Sequence, residues 1–180
     1  LDYKPVSNEG DGATDGSRSL LGDTSGDNKI NSELKIVPTE STTIESLAFE
    51  IASTTGSEYS PNVNIYMVEE GPDSTVGEGT LVYSNWNPSW STGTKRLDLD
   101  TNYDVTAEET YTIEVVSTAI EGDGAYDSLK MAYDDSASST WWNQDSGGFY
   151  GYQEYPSVTL TPASGVNSVS VSDDNGVSKS

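Results

Sequence analysis

The chain has 180 residues, with 30 Asp+Glu against 8 Lys+Arg, a net charge of −22, and neither His nor Cys. Those absences exclude imidazole bases, Ser/His/Asp triads, His-ligated zinc, thiol catalysis, thiolate metal sites and disulfides. The charge speaks against nucleic acid or an anionic membrane as a partner, and no apolar run approaches the ~20 residues that span a bilayer.

So many like charges disfavour a compact state in dilute buffer. At molar ionic strength the Debye length falls to about 3 Å and the repulsion is screened. Few lysines, many Asp, Ser, Thr and Gly, and 33% hydrophobic residues fit a protein adapted to high salt. The chain begins at Leu1 without a signal-peptide h-region, as a cleaved mature terminus or a piece of a longer protein would.

Composition divides the chain into three zones. Residues 1–32 read as a Gly/Asp/Ser-rich arm, with little apolar periodicity up to Gly22. Residues 33–162 hold nearly all the apolar and aromatic residues and read as one domain. Residues 163–180 read as a polar, Ser-rich tail or linker in which Val166, Val169, Val171 and Val177 suggest at most a short strand.

Within the domain the hydrophobic period is two. Short candidates at Leu34–Val37 and Thr80–Tyr83 accompany longer alternations. These are Leu47/Phe49/Ile51, Val63/Ile65/Met67, Leu97/Leu99, Tyr111/Ile113/Val115, Leu129/Met131/Tyr133 and Val158/Leu160. Turn residues punctuate them, as at Glu70-Gly71-Pro72-Asp73, Gly77, Gly79 and Gly147-Gly148. No window reads as a helix. The expected fold is all-β: an antiparallel, jelly-roll-like β-sandwich of about eight strands with irregular polar arms at both ends.

The sharpest local motif runs from Gly22 to Asn31 and is similar to the calcium loop of EF-hand and dockerin repeats. Asp23, Ser25 and Asp27 fall at alternate ligand positions, Lys29 offers a carbonyl, Asn31 follows at the ninth position, and Glu33 is offset by one from the closing carboxylate. Calcium or another hard cation wants such oxygens converging on one point. Asn28 stands where Gly is usual and Leu34 where the bidentate carboxylate belongs. The plainer alternative is an Asp/Gly-rich turn.

Two aromatic groups come next: Trp86 and Trp90 in one loop, and Trp141, Trp142, Tyr150 and Tyr152 among Asn, Gln and Gly. Ring faces beside amides and carboxylates suit a sugar, the same residues make protein-interface anchors, and the plainer alternative is that they plug the sandwich ends. Carboxylate pairs at Glu69-Glu70, Asp98/Asp100/Asp104, Glu108-Glu109 and Asp134-Asp135 would suit a glycosidase. Among 30 acids, close pairs arise by chance, and a solvated acidic face is the expectation. The one N-x-S/T candidate, Asn87-Pro88-Ser89, is blocked by its proline, which leans toward a virion protein over a glycosylated surface layer.

The order of segments Ile44–Ile51, Asn62–Tyr66, Gly79–Tyr83, Leu97–Leu99 and Thr106–Val115, then a Trp/Gly/Tyr-rich stretch and a last strand, resembles a group of β-sandwich modules. These occur in secreted proteins, adhesins and phage or archaeal-virus structural proteins. Where such modules carry a turn Gly before Tyr111, this chain has Glu108-Glu109. The resemblance and composition together imply a haloarchaeal system. They also imply a jelly-roll fold that decorates surfaces, mediates assembly or binds glycans without catalysis. The expectation is thus a non-enzymatic structural or decorating subunit (turret, spike, tail fibre or filament) on an extracellular or virion surface. It would self-associate or dock on neighbouring structural subunits, with no nucleic-acid partner and no membrane insertion. The alternative is a carbohydrate-binding or host-recognition module that uses the same aromatics on surface glycans.

Overall fold

The computed structural model describes residues 6–7, 15–24, 28–55, 61–118, 128–134, 137–145 and 148–163. Among them the chain is all-β and antiparallel, with no helix. The strands are β1 Val6–Ser7, β2 Gly16–Thr24, β3 Asn28–Ile36, β4 Thr42–Thr55, β5 Val63–Val68, β6 Thr80–Trp86 and β7 Gly93–Val105. They continue as β8 Tyr111–Ser117, β9 Ser128–Asp134, β10 Trp142–Asp145, β11 Phe149–Tyr152, β12 Tyr155–Pro156 and β13 Val158–Pro162.

Hydrogen bonding runs unbroken along β1-β13-β4-β9-β2-β3-β8-β5-β6, with β7 on β4, the β10–β11 hairpin on β3, and β12 on β9. This sheet is strongly curled. β4 and β6 stand six places apart in the order, so a flat sheet would hold them roughly 29 Å apart at ~4.8 Å per strand. Yet the rings of Phe49 on β4 and Trp86 on β6 touch, with centroids 5.8 Å apart. The curl encloses one core drawn from both halves, including Leu34, Phe49, Ile65, Met67, Ile113, Met131, Trp142 and Leu160.

Alternation explains much of this. In β5, Val63, Ile65 and Met67 point inward and their neighbours are half-exposed. In β13, Val158 and Leu160 do the same. Burying each such side chain stabilises the fold by about 1.5–3 kcal/mol. Glu108 supplies the turn ahead of β8 from the left-handed region (φ 66), where Gly is usual.

The arm expected over residues 1–32 is corrected in part. Gly16–Thr24 pairs with β9 on one side and with β3 on the other. Leu20, Leu21 and Ile30 are fully buried. The apolar signal was hidden because the register slips between Ser19 and Leu21. A bulge of that kind buries two consecutive leucines and erases the period of two. Beyond Ala163, the predicted tail lies outside the described residues.

Candidate functional site

Burial sorts the aromatic candidates. Trp142 is fully buried, and Trp86, Trp90 and Trp141 are exposed by only 7%, 9% and 6%. Trp86 and Trp90 pack edge to face at 5.0 Å, and Trp90 Nε1 donates to the Pro61 carbonyl at 2.7 Å. Trp142 Nε1 donates to Ser32 Oγ at 3.3 Å, and that hydroxyl donates to the Leu20 carbonyl. Trp141 lies edge-on to Tyr155 at 4.6 Å, with Lys35 Nζ 4.4 Å from its ring centre. The four tryptophans are therefore corrected from surface anchors to core. A chain poor in large aliphatics fills its interior with indole, and each N–H whose partner is seen finds one inside. Tyr150 differs, being 55% exposed, and Tyr152 is half-buried.

The calcium-loop reading is corrected for its second half. Gly22, Asp23 and Thr24 pair with Ile30, Lys29 and Asn28 in a β-hairpin. From Lys29 the extended strand carries Glu33 roughly 13 Å away at ~3.3 Å per residue, far beyond a shared ion at ~2.4 Å. Asn31 Oδ1 instead accepts from the Ser117 N–H at 2.9 Å, and Glu33 is engaged elsewhere. Ser25 and Asp27, and the side chains of Asp23 and Lys29, lie outside the described residues.

Two other sites emerge. The first is built around Arg18 and Tyr152. β2 presents Arg18, whose guanidinium carbon stands 3.6 Å from the Tyr152 ring centre and 5.5 Å from that of Tyr133. Arg18 grips Glu154 with Nε and Nη2, a two-point fork that fixes the guanidinium plane. The bond to Glu154 raises the guanidinium pKa further, so it stays charged. This stack is a ridge between two clefts. One, of about 580 Å³, runs past Thr140, Gly151 and Glu154. The other, of about 380 Å³, is lined by Lys130, Gln144 and Tyr150 with Ser17 and Ser19. Hairpin pairing sets Gln144 opposite Tyr150 and Trp142 opposite Tyr152, so the buried tryptophan roots the tyrosines that line the opening. An exposed phenol ring, amides, hydroxyls and two cations can stack on and hydrogen-bond a polar ligand.

The second site is a carboxylate latch. Glu33 on β3 and Glu114 on β8 are each 1% exposed. Glu33 Oε2 accepts from the N–H groups of Asp73 and Ser74 at 3.0 and 3.2 Å. Glu114 Oε2 accepts from those of Gly77 and Gly79 at 2.8 and 3.4 Å. The long β5–β6 loop is thus tied down over the outer face of the sheet, which explains why β8 is buried on both faces. Desolvation pushes Glu33 up to about 7, against the lowering effect of the Ser74 and Asp73 N–H groups. Asn143 adjoins the same carboxyl and also favours its charged form, although Glu33 Oε1 has no hydrogen bond of normal geometry. Desolvation also raises Glu114, opposed by the bonds from Gly77 and Gly79. On the loop's rim, Glu70, Asp73 and Glu78 are exposed with carboxylate oxygens within 4.8 Å of one another.

The other acids flagged in the sequence face solvent: Glu69, Asp98, Asp100, Asp104, Glu108 and Glu109 are exposed and Asp134 is half-exposed. Sequence motifs alone do not single out Arg18, Lys130, Glu154 or Glu114. The available signal was rarity: a lysine between Leu129 and Met131, and an acid between Ile113 and Val115. No family model, curated protein or solved structure matches the chain.

Proposed function

We propose that this protein is a non-enzymatic recognition module of an extracellular or virion surface, adapted to high salt, which binds a saccharide in the cleft beside the Arg18–Tyr152 stack. The observation that carries this reading is the exposed Tyr150 ring beside Gln144 and Lys130, at a cleft whose wall is fixed by the Arg18–Glu154 fork. Stacking on a ring face and bonding of hydroxyls by amides and cations is the chemistry a sugar requires. The buried carboxylates hold backbone N–H groups rather than flank a cleft, which favours binding over glycoside hydrolysis. We take the curled sheet as a jelly-roll-like sandwich whose layers join at β3, since Asn28–Ile30 pairs with β2 and Ser32–Ile36 with β8.

The test is binding of an oligosaccharide panel in about 2 M KCl, the screened regime. Tyr150→Ala is expected to weaken binding by up to about tenfold without unfolding the chain. Wild-type protein that binds no saccharide on the panel overturns the reading.

A second reading, a structural or decorating subunit, draws on β6. Among the described residues this strand pairs only with β5 and exposes Leu81 by 42%. A strand hydrogen-bonded on one side only, with an apolar residue exposed, favours strand-to-strand association. Light scattering in the same salt decides it: discrete oligomers or growing assemblies support the subunit, and a monomer at high concentration leaves recognition alone.

A further inference from the structure

We infer that the cleft between Lys130, Gln144, Tyr150 and the Arg18–Tyr152 stack selects acidic saccharides, with Lys130 bonding a carboxylate or sulfate on the sugar; this rests on the saccharide reading above. Five cationic side chains fall among the described residues. Arg18 is forked to Glu154, Arg96 pairs with Asp98 at 3.3 Å, Lys95 donates to Ser91 Oγ at 2.7 Å, and Lys35 covers Trp141. Lys130, like Lys95, has no carboxylate within ion-pair distance among the described residues, and unlike Lys95 it lines the cleft.

An ammonium that lines a cleft without a carboxylate among the described residues is open to an anionic group on a ligand, with which it can form a charge-assisted hydrogen bond. Arg18 is not open in this way, because its fork to Glu154 and its stack on Tyr152 commit it to holding the wall. Lys130 also stands on firm ground. β9 lies between β2 and β4, and Lys130 is in register with Ser19 on one side and Ser53 on the other. A ligand-reading group on a central strand keeps its position better than one on a loop.

The remaining lining suits the rest of such a ligand. Ser17, Ser19 and Gln144 offer hydrogen bonds to hydroxyls, and Tyr150 offers a ring face. The surrounding negative charge would repel an anion at long range in dilute buffer. At molar salt that repulsion is cut off beyond about 3 Å, while a direct ammonium–carboxylate hydrogen bond persists.

The experiment is calorimetric titration in about 2 M KCl with three probes: a tetragalacturonate, its carboxyl-reduced neutral counterpart, and a sulfated tetrasaccharide. Wild-type protein is expected to bind at least one acidic probe about tenfold more tightly than the neutral one, the size of one charge-assisted hydrogen bond. Which acidic probe wins tells carboxylate from sulfate. Lys130→Gln is expected to erase the preference, so that acidic and neutral probes bind alike, whereas Lys130→Arg retains it. Equal affinity of wild-type protein for acidic and neutral probes overturns this inference while the saccharide reading stands. No binding of any probe overturns both. The wild-type comparison needs no variant, so a misfolded Lys130→Gln protein does not shield the inference.

Discussion

Glu33 and Glu114 sit directly opposite each other in the β3–β8 register, both buried, and each accepts two backbone N–H bonds from the same loop. Like charges directly opposed across a sheet destabilise it. Here the arrangement serves a different purpose. Two carboxylates reach the outer face of the sheet and clamp residues 73–79, covering strands that would otherwise be wet on that side. The four donated N–H groups offset part of the desolvation cost, and the upward titration of both acids relieves part of the repulsion.

Stability should therefore depend on pH through Glu33. Its carboxyl titrates near 7 in the folded chain against an ordinary 4.5, because burial penalises the charge. Between those values the folded chain holds a proton that the unfolded chain has released. Stability then falls as pH rises through that window, and it levels off above about 7. Glu114, also raised, adds a slope of the same sign. Thermal melting in about 2 M KCl, where surface repulsion is screened, is expected to give a lower Tm at pH 8 than at pH 5. Glu33→Gln, which stays neutral, should flatten that slope. A wild-type Tm that rises over this range would contradict the assignment.

Burial predicts opposite outcomes for two aromatic substitutions. Trp142→Ala removes a fully buried indole and its bond to Ser32, and should cost about 3–5 kcal/mol. Tyr150→Ala removes a ring that is mostly in solvent and should change stability by less than about 0.5 kcal/mol. Chemical denaturation of both variants checks the contrast. Similar losses would mean that Tyr150 is structural rather than ligand-facing.

The period-two runs were legible because they obey the simplest rule, inward at every second residue, as in Val63, Ile65 and Met67. Leu20 and Leu21 escaped notice because a bulge breaks that rule. The tryptophans were legible as a group but not as a location. An indole near a turn reads the same whether it folds back, as Trp90 does onto the Pro61 carbonyl, or faces water. Glu114 was invisible for a physical reason. Its position in the alternation assigns it to a solvated face, and only the loop that folds over that face, closing from residues 35 and 37 positions away, makes it internal. The Arg18–Tyr152 stack joins residues from opposite ends of the chain, beyond the reach of any local pattern.

Gly79 offers a test of the latch independent of charge. A Cβ there would lie 2.4 Å from the Met67 carbonyl oxygen, a backbone atom that cannot step aside without disturbing the β5–β6 hairpin. Gly79→Ala should cost about 1–3 kcal/mol, as overpacking does. It should also expose residues 73–79 to faster amide exchange. Gly148→Ala, whose Cβ meets nothing within 4 Å, is the control and should be near neutral. Equal behaviour of the two variants would show that the loop is not held where Glu114 meets it.

The charge itself makes the last prediction. With a net charge of −22, the folded chain concentrates repulsion that the unfolded chain spreads out. Most flagged acids are exposed, and the two ion pairs among the described residues engage only two cations, so little local pairing offsets that repulsion. Stability should rise steeply with KCl at low concentration. It should then flatten by about 1 M, where the Debye length is ~3 Å and further screening gains nothing. The shape separates this cause from a general strengthening of apolar burial by salt, which would go on rising with concentration. Melting curves taken from about 0.1 to 3 M KCl at pH 8, where Glu33 is already ionised, give the answer. A Tm indifferent to salt would remove the ground for a high-salt setting, while the latch and the cleft, which rest on geometry, would stand.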